Sequence, residues 1–448
     1  MKSVLRHRLI PRILLAARER AWGSSIIFVL APLRYSIDLI YIVLSRVFGD
    51  AKTTWLLRAT ILLGSKSHKR WQSLNALMST GLYRGEKWWC LSQIAAHALG
   101  QASDISETDK NAVVKQLIEA AAQNNFKENS VESGIFAQKV LSALLWYVTP
   151  SRREHYASIA AAQVNSALNF ERPSLGSASQ KPNQAAALSS DGIIALGQVL
   201  SERQITDLLG YLSDKPCKAS HYFEQSNEKL STFEEIQVSG AHYASYSRET
   251  VLNTPHLLEV CNETSLVGIV SSYLGCPATL QSMNLFWTFS TKQSGGVSVF
   301  HRDQNDFRSV SFYIFLTRVD LESGPHEYIR GSANLEFCDR RIREANLSTV
   351  RGIDFFNPPW AQHLVTEVFQ KDVSVMSGPA GTAFISDPYG LHRGVAPSGS
   401  DRLLFYAVFG IMPLDTSGRN SQLTSSEFVQ RVVNSRDSQF RNRVVIRA

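Results

Sequence analysis

The sequence has few cysteines, and none stands in a spacing that binds a metal or forms a redox pair. Five occur, an odd number, scattered along the chain without a Cys-x-x-Cys pair: Cys90, Cys217, Cys261, Cys276 and Cys338. This pattern argues against a disulfide framework and against a cysteine zinc site, and it favours a reducing compartment. Each cysteine is best explained as a small buried hydrophobic residue.

The chain also lacks a long apolar run in its N-terminal region. A membrane-spanning helix needs about 20 consecutive apolar residues. The longest uncharged stretch there, residues 21–33, has thirteen residues and contains Pro32. A secretory signal does not fit either, because the basic region extends to Arg20 and no small-residue cleavage site follows Leu33.

Positive charge is concentrated at one end of the sequence. The formal net charge is +7, and residues 1–52 carry nine Lys and Arg against three Asp and Glu, a net +6. The nearly neutral remainder, without a basic groove or recognition motif, argues against nucleic-acid binding. Three interpretations of residues 1–52 stay open: amphipathic helices packed against the protein, an interfacial segment on anionic lipid, or a span. We expect a cytoplasmic protein, with peripheral membrane contact through this segment as the alternative.

Residues 1–172 are predicted to form a helical N-terminal domain. Apolar residues recur there at three- and four-residue steps, which is the period of a helix with one buried face. Similar segment lengths and short connections favour antiparallel helices packed as a bundle. The predicted helices span residues 11–17, 55–63, 88–99, 113–122, 136–147 and 156–168.

The composition changes after residues 173–190, a polar segment with Pro, Gly and Ser that is predicted to be a linker. Gly, aromatic and β-branched residues then become frequent. Many short strands favour a sandwich or barrel over residues 191–415, which makes the whole chain α+β. This domain contains an insertion at 333–370 and is followed by a polar tail at 416–448. The predicted elements are strands at 280–290, 300, 309–316, 373–375, 382–385 and 403–411, a helix at 204–212 and two helices within 252–273.

The most informative motif is His-x-Asp at positions 301–303, with a second histidine, His392, far downstream. Residues i and i+2 of a strand project from the same face, so His301 and Asp303 can bind one ion while Arg302 points away. Two imidazoles and one carboxylate occupy one face of an octahedral Fe(II) ion and leave three positions open. These three residues are predicted to be the metal ligands, with His392 contributed by a strand that folds back beside the first.

An arginine completes the pattern. Arg402 lies ten residues after His392, at the start of an apolar and aromatic run that is typical of a strand. Its planar guanidinium suits bidentate pairing with a carboxylate. The three ligands and this arginine form the constellation of a 2-oxoglutarate-dependent oxygenase, in which Arg402 is predicted to bind the co-substrate.

At these residues the chain resembles the phytanoyl-CoA dioxygenase family of Fe(II)/2-oxoglutarate-dependent oxygenases. The resemblance covers about residues 185–413, a little over half of the chain. Two positions depart from the family pattern: Ala333 stands where His often follows Gly-Ser, and Tyr313 stands in the strand that often carries Trp. Besides His392 and Arg402, the matching pieces are Asp191-Gly-Ile-Ile-Ala-Leu196, Leu200-Ser-Glu-Arg-Gln-Ile205, Tyr273-Leu-Gly-Cys-Pro277, His301-Arg-Asp303, Asp320-Leu-Glu-Ser-Gly-Pro325, Arg330-Gly-Ser332 and Gly381-Thr-Ala-Phe384.

The resemblance implies a double-stranded β-helix, a jelly-roll, cupin-like fold with the metal between its two sheets. It implies that O₂ and 2-oxoglutarate give succinate and CO₂ while a substrate C–H is hydroxylated; desaturation or ring closure would use the same chemistry. Tyr313, Met283 and Gln281 occupy positions where the family contacts 2-oxoglutarate. Halogenating relatives carry a small residue in place of the carboxylate, so Asp303 favours oxygenation.

The substrate and two other classes of function stay open. The family acts on acyl chains, small metabolites, amino-acid derivatives and natural products, and the basic N-terminus favours a small-molecule or lipid-linked substrate. A catalytically retired scaffold that works through its helical domain is the main alternative. A cupin-like metal enzyme without 2-oxoglutarate is another, and Arg402 argues against it. His326 and His363 are interpreted as loop or substrate-wall residues.

Membrane contact through residues 1–52 can be tested by liposome flotation. Polybasic attraction contributes about 1 kcal/mol per Lys or Arg near an anionic surface and is screened by salt. We expect binding that requires anionic lipid, weakens in high salt and disappears in a variant beginning at Thr53. If both proteins stay in solution, the segment is not a lipid-binding element; resistance to salt and carbonate would indicate a true anchor.

Overall fold

The computed structural model describes residues 106–122, 140–142, 144–145, 148–168, 182–220, 230–290, 298–347, 362–414, 423–424 and 427–447. The chain divides into two compact units, Met1–Thr149 and Pro150–Ala448. The basic segment 1–52 and the helices predicted at 11–17, 55–63 and 88–99 lie outside the described residues.

The first unit contains helix α1, Glu107–Ala122. Its buried side chains follow the i, i+3, i+4, i+7 pattern of a helix with one packed face: Val114, Leu117, Ile118 and Ala121. The predicted helix at 113–122 is therefore correct in type and begins earlier than expected. None of the helices in the described parts of the chain combines the length and apolar character needed to cross a bilayer.

The second unit contains the β-structure and eleven of the described helices. Its helices are α2 Pro150–Leu168, α3 Pro182–Asp191, α4 Glu202–Leu212, α5 Phe233–Gln237, α6 Arg248–Asn253, α7 Leu257–Asn262, α8 Thr264–Leu274, α9 Leu335–Glu344, α10 Gln362–Phe369, α11 Glu427–Val432 and α12 Arg436–Asn442. Its strands are β1 Ile193–Gln198, β2 Cys217–Ser220, β3 Leu230–Ser231, β4 Tyr243–Tyr246, β5 Thr279–Thr288, β6 Ser309–Phe315, β7 His326–Ile329, β8 Val373–Met376, β9 Thr382–Ser386, β10 His392–Gly394, β11 Arg402–Gly410, β12 Leu423–Thr424 and β13 Ile446–Arg447.

Two antiparallel sheets carry the architecture. The larger has eight strands in the order β1-β9-β6-β11-β5-β4-β2-β3, and the smaller has the order β10-β7-β8. An isolated bridge between His301 and His392 extends the smaller sheet beside β10. From β5 to β11 the chain passes repeatedly between the two sheets, which fits the jelly roll expected from the sequence.

The core between the sheets is largely aromatic. One cluster joins side chains of the larger sheet, among them Tyr313, Phe315, Phe384 and Leu404, to Tyr328 of the smaller sheet. On the other side of the smaller sheet, the insertion 333–370 contributes helices α9 and α10. Side chains of these two helices form a second cluster with residues next to His301 and His392: Phe300, Ile329, Cys338, Ile342, Val365, Phe369 and Leu391. The insertion therefore supports the histidine segments from behind.

The predicted linker is partly a helix. The second half of residues 173–190 belongs to α3, Pro182–Asp191, which packs against α8. An Ala-rich stretch favours helix, and Ala185 and Leu188 are buried against the neighbouring helix. The polar residues Asn183, Ser189 and Ser190 lie on the exposed face of this helix.

Two further boundaries differ from the sequence expectation. Helix α2, expected within the domain 1–172, belongs to the second unit, where Arg153 donates a hydrogen bond to the backbone oxygen of Asp306. The segment 416–448, predicted to be a polar and partly helical tail, contains two helices and is packed, since Val444 is buried and its carbonyl accepts a hydrogen bond from the guanidinium of Arg248 at 2.9 Å.

The packing of α3 can be tested by chemical denaturation. Leu188→Ala removes a fully buried side chain and is expected to lower the free energy of unfolding by about 2–5 kcal/mol. Ser190→Ala, on the exposed face, is the matched control and is expected to change it by less than about 0.5 kcal/mol. Equal effects of both substitutions would contradict a packed helix.

Candidate metal centre

Backbone hydrogen bonds bring the three predicted ligands together. The amide of His301 donates to the carbonyl of His392 at 2.9 Å, and the amide of His392 donates back at 3.0 Å. The amide of Asp303 donates to the carbonyl of Pro388 at 2.8 Å, in the turn that leads to His392. Two segments about 90 residues apart are thus fixed side by side.

Their side chains form one compact donor set. Asp303 Oδ1 lies 3.7 Å from Nε2 of His301, and Oδ2 lies 3.6 Å from Nε2 of His392. The ligand atoms of the three residues lie within 4.8 Å of one another. Two ligands at right angles, each about 2.1 Å from an ion, are separated by roughly 3 Å, so these donors would draw closer together on a bound ion.

Both imidazole rings are oriented for ligation through Nε2. Nδ1 of His301 lies 2.8 Å from the carbonyl of Val299, and Nδ1 of His392 lies 2.9 Å from the carbonyl of Gly390. A carbonyl only accepts hydrogen bonds, so each Nδ1 is the protonated nitrogen and each Nε2 presents a lone pair. Two neutral imidazoles and one carboxylate fit Fe(II) in a facial arrangement.

The protonation states agree with this donor set. Burial, assisted by the charge of His392, lowers the pKa of His301 to about 4, although Asp303 opposes the shift. Burial acts to raise the pKa of Asp303, but the neighbouring imidazoles of His392 and then His301 outweigh it and lower that pKa. The Asp303 side chain is 43% exposed whereas that of His392 is 4% exposed, so the site opens beside the carboxylate.

Arg402 reaches the site from the larger sheet. It is the first residue of β11, is buried, and donates from one terminal nitrogen, Nη2, to Thr288 Oγ1 at 3.4 Å. A Cβ at Gly394, two residues after His392, would lie 3.3 Å from that nitrogen. The guanidinium of Arg402 therefore lies against strand β10, which carries His392, and the absence of a side chain at Gly394 leaves room for it.

Two tyrosines lie close enough to Asp303 for its charge to act on them. Tyr313 stacks on Phe384 with ring centroids 4.7 Å apart and on Tyr406 at 5.8 Å. Burial and then the negative charge of Asp303 raise the pKa of Tyr406 to about 12, and the same two causes lead the rise in the pKa of Tyr313. The structure brings Tyr313 to the site, and Tyr406 joins it although sequence reasoning did not single it out.

Gln281 and Met283 do not join this group. On β5 the inward positions are those opposite the inward residues of β11, since Phe286 and Tyr406 contact each other. Met283 is an odd number of residues from Phe286, so its side chain points to the face of the sheet opposite that of Phe286. Gln281 is at a bulge, where its amide nitrogen donates to Asp306 and to the carbonyl of Met412. The family resemblance suggested both positions as co-substrate contacts, and the observed strand register does not bring Met283 to the inner face.

His326, which the sequence suggested to be a loop or substrate-wall residue, lies inside the site. It begins β7 and is buried, with its ring centroid 5.6 Å from that of His392 and 4.9 Å from that of Tyr313. Burial, followed by the charges of His392, Arg402 and His301, lowers its pKa well below the usual value. A buried imidazole beside the ligands is a signal that spacing alone did not reveal. His363 lies in α10.

Arg302 points away from the metal ligands, as strand alternation predicted, and is buried behind them. Its guanidinium donates to the carbonyls of Ser332 and Tyr389. The Tyr389 ring lies under Arg302 at 5.5 Å and under Arg153 of helix α2 at 3.6 Å. These contacts hold the turn that precedes His392, so Arg302 positions His392 without joining the three predicted ligands.

Comparisons with solved structures found low similarity to iron and 2-oxoglutarate enzymes. The α-ketoglutarate-dependent epimerase SnoN from nogalamycin biosynthesis is 14% identical, with 51% of this chain and 82% of SnoN covered and a TM-score of 0.36. The carbocyclase SnoK from the same biosynthesis is 15% identical over 52% of this chain and 84% of SnoK, with a TM-score of 0.33. EctD from S. alaskensis with 2-oxoglutarate and 5-hydroxyectoine is 16% identical over 54% and 79%, with a TM-score of 0.34. Likenesses of this size do not establish a shared activity.

No protein-family model and no curated protein sequence matches this chain. The resemblance to the phytanoyl-CoA dioxygenase family therefore stays a prediction from the motifs.

The ligand assignment predicts binding of one divalent ion per chain. Under anaerobic conditions, His301→Ala or His392→Ala is expected to abolish stoichiometric Fe(II) binding, because each removes one of three donors that the protein supplies. His155→Ala, an exposed histidine in α2, is the matched control and should bind like wild type. Metal content after desalting, and calorimetry with Mn(II), measure this; full binding by either ligand variant contradicts the assignment.

Proposed function

We propose that the protein is a non-haem Fe(II)/2-oxoglutarate-dependent dioxygenase that hydroxylates a C–H of a small-molecule or lipid-linked substrate. The observation that carries the proposal is the position of Arg402, a buried guanidinium over the strand of His392, beside a facial set of metal ligands. A metal site alone would suit several classes of enzyme. A neighbouring cation that fits a carboxylate favours a dicarboxylic co-substrate.

The chain's own residues divide the work. His301, Asp303 and His392 would hold Fe(II) on one face and leave three positions for co-substrate and O₂. When bound, Fe(II) and 2-oxoglutarate supply an oxidative decarboxylation that releases succinate and CO₂ and drives oxygenation of the substrate. The exposed side of Asp303 is the open approach to these positions.

Arg402 would bind the distal carboxylate of 2-oxoglutarate. Its burial strengthens a charge-assisted hydrogen bond, and Thr288 fixes the direction of one terminal nitrogen. The phenol of Tyr313, which faces Asp303, would be a further contact to the co-substrate. The carboxylate of Asp303 would occupy the coordination position that a halide would need, which favours oxygenation over halogenation.

Aromatic side chains support a substrate with an apolar region. On the inner face of the larger sheet, Phe286 lies between Tyr243 and Tyr406, with ring centroids 6.1 Å and 6.2 Å away. Phe286 and Tyr406 are only partly buried, so the row presents apolar surface near the ligands. Such surface favours an acyl chain or another apolar group beside the reacting carbon.

Binding of 2-oxoglutarate tests the proposal directly. Anaerobic wild-type protein with Fe(II) and 2-oxoglutarate should show a weak visible charge-transfer band. Arg402→Ala should raise the dissociation constant for 2-oxoglutarate at least 100-fold, since losing one partner of a buried charge pair costs roughly 3–5 kcal/mol. Arg402→Lys keeps the charge but loses the planar fork, so an intermediate loss is expected.

Arg203→Lys, an exposed arginine, is the matched control and should titrate like wild type. Wild-type affinity in Arg402→Ala would mean that another cation binds the co-substrate. Protein that binds Fe(II) without 2-oxoglutarate would favour the cupin-like alternative, and protein that binds neither would favour the retired scaffold.

A further inference from the structure

His326 occupies the inner face of the smaller sheet, in the pair next to the metal ligand. On β10 and β7, His392 pairs with Tyr328 and Gly394 pairs with His326. Residues paired across an antiparallel ladder project from the same face, so the imidazole of His326 extends beside the space above Gly394. That is the space into which the guanidinium of Arg402 reaches from the other sheet.

The imidazole has an unused hydrogen-bonding group. The His326 side chain is buried, with 5% relative exposure, and its Nε2 has no hydrogen-bond partner among the described residues. The imidazole of His326 contacts three aromatic rings, those of Tyr313, Phe384 and His392. A buried polar atom without a partner is costly, and native structures leave few of them unless a ligand or water binds there.

The surroundings indicate what would satisfy this nitrogen. The groups whose charge acts on His326 are His392, Arg402 and His301, which are all basic side chains. The next inward residue of β11 after Arg402 is Leu404, which is buried and offers no polar atom. An anionic oxygen between the imidazole and the guanidinium would accept from both, and Thr288, already bound to Arg402, lies on the same side.

We propose that His326 is a second donor to the distal carboxylate of the 2-oxo acid co-substrate, so that Arg402 and His326 bind it from opposite sheets. The inference rests on the proposed function and deepens it. It adds selectivity: a 2-oxo acid with a distal carboxylate is favoured over one of equal length without it, since only the former gives both donors an acceptor.

The test measures binding to Mn(II)-loaded full-length protein by calorimetry, without turnover. Two ligands are compared: 2-oxoglutarate and 2-oxopentanoate, which has the same carbon chain but no distal carboxylate. His326→Leu removes the N–H while keeping apolar bulk. It is expected to weaken 2-oxoglutarate binding by roughly 10- to 100-fold, the range for a hydrogen bond to a charged group, and to leave 2-oxopentanoate within about 2-fold of wild type.

Two further variants separate binding from packing. His326→Gln places an amide N–H at similar reach and should recover most of the affinity for 2-oxoglutarate. Phe384→Leu removes another ring from the same aromatic stack but leaves the imidazole, so any effect should be equal for both ligands. Wild-type affinity in His326→Leu, or an equal loss for both ligands, would overturn the proposal and leave His326 a packing residue.

A measurement on the wild-type protein covers the case in which the leucine variant does not fold. In ¹⁵N-histidine-labelled, Zn(II)-loaded protein, the Nε2 resonance absent from His326→Gln is expected to shift with 2-oxoglutarate and not with 2-oxopentanoate. An unchanged resonance under saturating 2-oxoglutarate rejects the role of His326. Failure of wild type to bind 2-oxoglutarate with any metal instead rejects the proposed function itself, so the two failures are distinguishable.

Discussion

A single antiparallel bridge determines the rest of the site. The two backbone hydrogen bonds between His301 and His392 fix the distance between the segments that carry all three ligands. Each ring is then oriented by the carbonyl two residues before it, that of Val299 or Gly390. Because the same local hydrogen bond occurs twice, both histidines present Nε2 toward Asp303 without help from a distant side chain.

The segments of the bridge are held from behind. Phe300 and Leu391, each next to a ligand histidine, pack into the cluster formed with the insertion helices. Arg302 binds the backbone of the turn before His392, and Tyr389 of that turn lies between Arg302 and Arg153. Arg302, the middle residue of the His-x-Asp motif, therefore has a structural role. Helix α2 supports the same turn, because its Arg153 packs on the ring of Tyr389. This contact explains why α2 belongs to the unit that contains the sheets.

Sequence reasoning was most accurate where one residue pattern decides the structure. Strands such as β6, Ser309–Phe315, and β11, Arg402–Gly410, are apolar on both faces because both are buried, and they were predicted within one or two residues. The structure brings His301, Asp303 and His392 together, and their role as metal ligands stays a prediction. The isolated bridge between His301 and His392 brings the distant second histidine to the His-x-Asp motif. Only the fold, and not the sequence pattern, shows this bridge.

The missed elements have physical causes. Strand β7, His326–Ile329, contains a buried histidine and a glutamate, so its composition resembled a loop. Gln281 and Met283 were suggested by the family resemblance, but Gln281 lies at a bulge of β5 and Met283 pairs with Ala407 in the register of the other face. Helix α3 was concealed within a polar segment because only Ala185 and Leu188 on its packed face are apolar and buried. In each case a tertiary contact, and not the local pattern, selected the structure.

The glycine at position 394 has a consequence for the stability of the fold. It leaves room for the Arg402 side chain of the larger sheet on a strand of the smaller one. An anion bound by both Arg402 and His326, as proposed, would act as a reversible cross-link, because it would bind the docked sheets and not the separated ones. The resistance of this fold to opening would then follow the supply of a metabolite, and protein lifetime in the cell would become a readout of the co-substrate pool.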